Sequence, residues 1–147
     1  MEGSVGDVQY LHRAERRGRG MQIWFEAAQA APRLLLIWIL LPMLGIQRLR
    51  RWTGARRRRT QVLPPERIAG RVIALRRVGA RLPGCRCLAR SMALSWWLNR
   101  SGQTHRLLIG VQGTAIDLRA HSWVEIEGQA VDDSPETIAG FRQISEI

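Results

Sequence analysis

The segment from Cys87 to about Asn99 is apolar on nearly every side: Leu88, Ala89, Met92, Ala93, Trp96, Trp97 and Leu98 fall all round a helix rather than along one stripe. A helix of that kind must be covered by neighbours on most sides. Gly102 supplies its stop, and beyond it the apolar period changes. Leu107-Leu108-Ile109-Gly110-Val111 reads as a buried strand, 112–119 as a loop, 120–126 as a second strand and 129–133 as a third. The expected architecture is α+β, with N-terminal helices and the Cys87 helix packed on a small antiparallel sheet.

The covering helices are legible upstream. From Met21 to about Trp52 the apolar positions predict one long helix, or two broken near Pro32 or Pro42. Pro64-Pro65-Glu66 makes a good start for another helix, because proline fits the first turn and an acid there complements the dipole. Ile68, Val72, Ile73, Leu75 and Val78 form its apolar stripe, with Arg67, Arg71, Arg76 and Arg77 expected on the other side. Residues 79–84 end it in a turn containing Gly and Pro. We divide the chain into a loose tail at 1–20, a helical Arg-rich extension at 21–63 and a catalytic domain at 64–147. At 147 residues with 46% hydrophobic content, there is room for one respectable core.

All 23 basic residues are arginine, and they are unevenly spread. Residues 1–86 hold 18 arginines and 5 acids, whereas residues 87–147 hold 5 arginines and 7 acids. The basic half could meet nucleic acid, anionic lipid or an acidic protein through the same long-range field, so charge alone does not choose among them. Residues 34–46 are apolar and are followed by Arg48, Arg50, Arg51 and Arg56 to Arg59. A membrane span needs about 18 such residues, so a buried helix is expected here. A peripheral membrane contact, with Trp38 and Trp52 at the interface, is the competing reading. Two cysteines, Cys85 and Cys87, make no disulfide framework, and no secretory signal opens the chain, so a reducing cytoplasm is the expected location.

Three residues carry the chemistry: Cys87 at the start of a helix, and His121 and Asp133 on two strands joined by a tight turn. That is the layout of a thiol nucleophile, its base and the group that orients the base. A free thiol is mostly protonated at neutral pH, and the unpaired amides of a helix N-terminus together with a nearby imidazolium favour the thiolate. The Cys87 backbone amide, at the same helix end, is a candidate oxyanion donor. Against this stand blander roles: Cys87 as a buried apolar residue, and His121 as a satisfied structural histidine. Cys85 precedes the helix and has no evident base, which makes it a bystander or a weak redox partner. His105 is the substitute base.

Side chains alternate along a strand, so the turn decides which aspartate faces His121. A three-residue turn, Ile126-Glu127-Gly128 with glycine in a left-handed bulge, pairs residue 125 with 129 and sets His121 opposite Asp133. A two-residue Glu127-Gly128 turn sets Asp132 on that face instead. Asp133 is preferred and Asp132 is the substitute.

The stretch Gly84-Cys85-Arg86-Cys87-Leu88-Ala89-Arg90-Ser91-Met92-Ala93-Leu94, then Ile109-Gly110-Val111, His121-Ser122-Trp123-Val124-Glu125 and Val131-Asp132-Asp133, resembles the transglutaminase-like cysteine peptidases that remove leader peptides in lasso-peptide biosynthesis, the B proteins. The resemblance covers roughly residues 80–140. It implies a papain-like or transglutaminase-like fold with Cys87 as nucleophile, His121 as base and Asp133 as orienter. Arg90 belongs to the motif and is either part of the oxyanion environment or a structural donor. Ser122 departs from the alanine usual after the histidine. No strand-rich leader-binding module precedes the helices, so the chain resembles the freestanding protease half of a split B protein. The resemblance then implies a precursor peptide as substrate, a separate leader-binding recognition protein, and an ATP-dependent lasso cyclase that uses the freed amine.

No cofactor is expected: peptidase chemistry needs no metal, and the sequence offers neither a metal-ligand cluster nor a phosphate-binding glycine loop. Two rivals remain. An acyl transferase would keep the acyl-enzyme but let an amine replace water. A non-enzymatic Arg-rich adaptor for membrane or nucleic acid would use the sheet as scaffold only, although no specific nucleic acid is implied.

Overall fold

The structure, a computed structural model, describes residues 20–54, 62–114 and 116–146, with side chains from Phe25 onward. The tail at 1–19 and most of the Arg-rich stretch at 53–63 lie outside the described residues. The elements are α1 (Gly20–Thr53), α2 (Pro65–Gly79), α3 (Cys87–Ser101), β1 (Arg106–Gly113), β2 (Leu118–Ile126), β3 (Gln129–Ala130), α4 (Pro135–Ile138) and β4 (Arg142–Glu146). The strands form one antiparallel sheet in the order β3-β2-β1-β4.

The all-round apolar helix is covered as its composition requires. Ala93, Leu94, Trp97 and Leu98 of α3 meet Ala30, Leu34, Ile37 and Leu49 of α1, Val72 and Leu75 of α2, and Leu107 and Val124 of the sheet in one core cluster. Thus α1 belongs to the same core as α2 and α3. Its chain runs helically through Pro32 and Pro42 and breaks instead at Gly45, where φ is 72°. The break falls three residues after Pro42, at a glycine whose left-handed φ a residue with a Cβ rarely adopts.

The stripe on α2 holds for the aliphatic residues but not for every arginine. Arg71 is 6% exposed. Its guanidinium lies 4.7 Å from the Trp97 ring centroid and Nη1 donates to Ser101 Oγ at 2.9 Å. Stacking over an indole gives a buried guanidinium a partner that sequence spacing cannot reveal.

Leu107 pairs with Val124 on the sheet face that meets the helices, and Leu108 pairs with Trp123 on the other. Gly110 lies opposite His121 on that second face, where a Cβ would come within 2.9 Å of the Trp123 ring and 3.0 Å of Phe141 Cβ. Glycine here lets both rings close over the sheet. β4 runs alongside β1, and nothing in the apolar pattern of its five exposed residues foretells it.

Candidate active site

The expected three-residue turn does not form. Glu125 pairs with Ala130 and Ile126 with Gln129, which makes Glu127-Gly128 a two-residue turn with φ of 53° and 82°. Both central residues are left-handed, as the twist of a tight hairpin demands. By alternation this register would hand Asp132 to His121, but the ladder stops short. Val131 N still donates to the Val124 carbonyl at 2.9 Å, whereas Val124 N donates to Asp132 Oδ1 at 2.7 Å in place of a backbone acceptor. That substitution ends β3 and turns the chain. Asp133 then swings to His121, and its Oδ2 lies 2.5 Å from Nε2. The pairing is with Asp133, but the cause is a broken ladder and not the turn we expected.

His121 is held on two further sides. Its ring stacks at 6.3 Å from Trp123 and tilts at 5.2 Å from Phe141. With Nε2 committed to Asp133, Nδ1 is the nitrogen left for a reaction partner.

Cys87 is the first residue of α3, preceded by Arg86 in extended conformation with no side-chain cap. Its thiol, half-buried and free, lines a cleft with Arg90, Ser91, Ser122, Asp132 and Asp133, floored by Val72, Leu75 and Leu94. The structure therefore brings His121 and Asp133 into contact and places Cys87 and Asp133 on the walls of one cleft. Among the described residues the Cys87 thiol makes no hydrogen bond, so none links it to His121. Cys85 sits at the core margin, where burial pushes its thiol up and favours the protonated form. His105 points away from this group: it is buried, with Nε2 2.8 Å from Ser95 Oγ and Nδ1 2.9 Å from the Gln103 carbonyl. Arg90 lays its stem over Gly79, and its guanidinium donates no hydrogen bond among the described residues. Among those residues no three His, Cys, Asp or Glu side chains converge as metal ligands.

Sequence reasoning missed the clasp that ties these elements together. Ser91 Oγ lies 3.1 Å from the Ser122 carbonyl and 2.7 Å from Asp132 Oδ2, and so links α3, β2 and the segment after β3. A hydroxyl has one hydrogen, so it cannot donate to both. The arrangement is complete when Asp132 is protonated and donates to Ser91, which then donates to Ser122. Burial pushes Asp132 up to about 6, against the Val124 and Ser91 hydrogen bonds that favour its anion, so the protonated arrangement is reached below pH 6 and above it Ser91 donates to the carboxylate. Each member of the clasp neighbours one of the three candidate residues, being one helical turn after Cys87, next to His121 and next to Asp133. The only signal in the sequence was the doubled aspartate.

Because the unfolded carboxyl titrates near ~4 and the folded one near 6, the native state holds the extra proton between those values. Its stability contribution is full below pH ~4 and is lost as pH rises through 6. Asp132→Asn, which cannot titrate, is expected to gain on the wild type by about 2–3 kcal/mol in urea unfolding between pH 4 and pH 7. A gap that stays constant with pH would show that folding does not shift the titration of Asp132.

Among the described residues the Ser122 hydroxyl, in contrast to its carbonyl, is buried without a partner. Removing an unsatisfied buried hydroxyl relieves its desolvation cost, so Ser122→Ala is expected to raise stability by about 1 kcal/mol in thermal or urea melts. A loss of stability would mean that the hydroxyl is bonded in solution.

A helical half wrapped on an antiparallel sheet, a cysteine opening the central helix, and a histidine on β2 paired with an aspartate just after β3 define a papain-like or transglutaminase-like α+β protein. Family comparison agrees: residues 33–146 match the model of the transglutaminase-like superfamily, and the chain belongs to that family. The match starts inside α1, in keeping with the shared core. Members of the superfamily are usually enzymes, cysteine peptidases or acyl transferases. No curated protein and no solved structure is significantly similar to the chain.

Proposed function

We propose that the chain is a cysteine peptidase that removes the leader from a ribosomally made lasso-peptide precursor, as the freestanding protease half of a split B protein. The observation that carries the proposal is the 2.5 Å contact between His121 Nε2 and Asp133 Oδ2, beside a cleft that Cys87 opens. A histidine gripped at one nitrogen and offering the other is arranged to move protons, and a thiol at a helix N-terminus is suited to attack. The residues quoted above supply the link to lasso-peptide maturation.

In this mechanism the Cys87 thiolate attacks the carbonyl carbon at the leader-core junction. The Cys87 backbone amide stabilises the oxyanion. The C–N bond breaks, the core leaves as an amine carrying a proton from the His121 imidazolium, and the leader stays on Cys87 as a thioester. Water then gives a proton to His121 Nδ1 and attacks the thioester, which frees the leader carboxylate and restores the thiolate. The step requires Cys87 and His121 to come within hydrogen-bond reach, a closure that peptidase sites commonly complete when substrate binds. A separate leader-binding protein would deliver the precursor, and an ATP-dependent cyclase would consume the new amine.

The test is incubation of the full chain with a lasso precursor peptide, with and without a leader-binding partner, read by mass spectrometry. Leader and core whose masses together exceed the precursor by one water support the proposal. Leader products capped by an added amine, in preference to water, assign the chain to the acyl transferases. An intact precursor under every condition rejects both.

A further inference from the structure

The outer face of α1 carries a second feature that the proposed chemistry does not use. Ala30, Leu34 and Ile37 point into the core and are fully buried. On the opposite side Phe25 is 65% exposed, Leu35 42%, Ile39 45% and Met43 74%, with Leu36 at 37%. At 100° per residue these five fall within an arc of about 100°, and from Phe25 to Met43 the stripe runs about 27 Å along the helix. Monomer surfaces rarely expose a contiguous apolar strip of that size without a use for it.

The charges that follow it in the sequence narrow the choice of partner. Between Glu26 and Glu66 there is no acidic residue, while eight arginines occur: Arg33, Arg48, Arg50, Arg51 and Arg56 to Arg59. Beyond the break at Gly45, Arg48, Arg50 and Arg51 are exposed, and so is Trp52 at 49%. Nucleic acid would satisfy the arginines and leave the aliphatic stripe against nothing. A second copy of the chain would bury the stripe and set like charges together. An anionic lipid surface meets both requirements, because acyl chains take the stripe and headgroups take the guanidinium groups.

We propose that the outer face of α1 docks the protein on an anionic membrane surface, with the helix lying in the interface. Phe25–Thr53 is long and apolar enough to cross a membrane by length and composition. Its inner face is nevertheless part of the protein core, and Arg33 stacks over Trp97 at 4.8 Å. The helix therefore docks without leaving the fold. This inference is independent of the peptidase reading, since no residue of the Cys87 cleft takes part.

The experiment is cosedimentation of the full chain with vesicles of phosphatidylcholine alone and of phosphatidylcholine with one quarter phosphatidylglycerol. The chain is expected to pellet with the anionic vesicles at least about tenfold more strongly than with the neutral ones, and progressively less as salt rises. Ile39→Glu combined with Met43→Glu is expected to cut that binding at least about tenfold, with the circular-dichroism melt of the wild type retained. Arg48→Gln with Arg51→Gln, which leaves the stripe intact, should weaken binding to anionic vesicles and leave the weak neutral binding unchanged. The proposal is overturned by a chain that stays in the supernatant at every lipid composition, or by acidic variants that bind like wild type. It is equally overturned by lipid-free dimers in sedimentation equilibrium that Ile39→Glu and Met43→Glu dissolve, which would make the face a contact between copies.

Discussion

Replacing Cys87 with alanine is expected to lower precursor cleavage by at least ~10⁴-fold, with little change in stability. The magnitude follows from the role. A nucleophile and its base act as one unit, so deleting the atom that forms the covalent bond leaves only what binding and oxyanion stabilisation contribute. The stability expectation follows from position: Cys87 is half-buried at a helix start, its thiol makes no hydrogen bond among the described residues, and it is replaced by a good helix former. Steady-state cleavage by mass spectrometry and a urea melt on the same preparation check both halves. Cleavage that survives in Cys87→Ala and disappears in Cys85→Ala would move the nucleophile two residues upstream, against the burial that keeps Cys85 protonated. Cleavage that survives in both would remove the thiol from the mechanism.

The second large effect is expected at Asp133, where two substitutions separate orientation from charge. Asp133→Ala leaves His121 Nε2 without its 2.5 Å partner and is expected to cost about 10³–10⁴ in kcat. The ring would still be flanked by Trp123 and Phe141, so its plane is held but its tautomer is not. Asp133→Asn keeps an acceptor oxygen for Nε2–H and loses only the negative charge. Cys-His-Asn arrangements are known to support peptidase chemistry, so this variant is expected to retain activity within about 10- to 50-fold of wild type. Equal losses in the two variants would mean that charge on Asp133, rather than its grip on the ring, is what matters. No loss in either would make the contact structural. Asp132→Asn serves as the control, because its neighbour's contact with His121 is left in place and its main expected effect is on the pH dependence of stability.

How far these residues could be read in advance depended on how local their determinants were. The limits of α3 were legible because an apolar helix start and a glycine stop act within a turn of themselves, and the chain runs from Cys87 to Ser101 with Gly102 as its left-handed cap. β1 and β2 were legible from the apolar run at 107–111 and the change of period after Gly102, although each runs two residues into the 112–119 segment expected as a loop. The hairpin is less local. Both a two-residue and a three-residue turn were compatible with Ile126-Glu127-Gly128, and the register that formed was not the one preferred. Asp133 still met His121, because Asp132 left the ladder to cap Val124 and bind Ser91, residues 8 and 41 positions away. Arg71 is the same lesson in the helices, since its burial depends on Trp97 arriving from α3.

The sequence by itself therefore determined the central helix and the two long strands that follow it, because period, caps and residue type are properties of short segments. Only the tertiary structure decided which aspartate grips the histidine, that Ser91 and Asp132 clasp the helix to the sheet, that β4 closes the far edge, and that one face of α1 is core while the other is bare. Each of those outcomes depends on groups far apart in the chain whose meeting is fixed by the packing of the whole, and no local pattern encodes it.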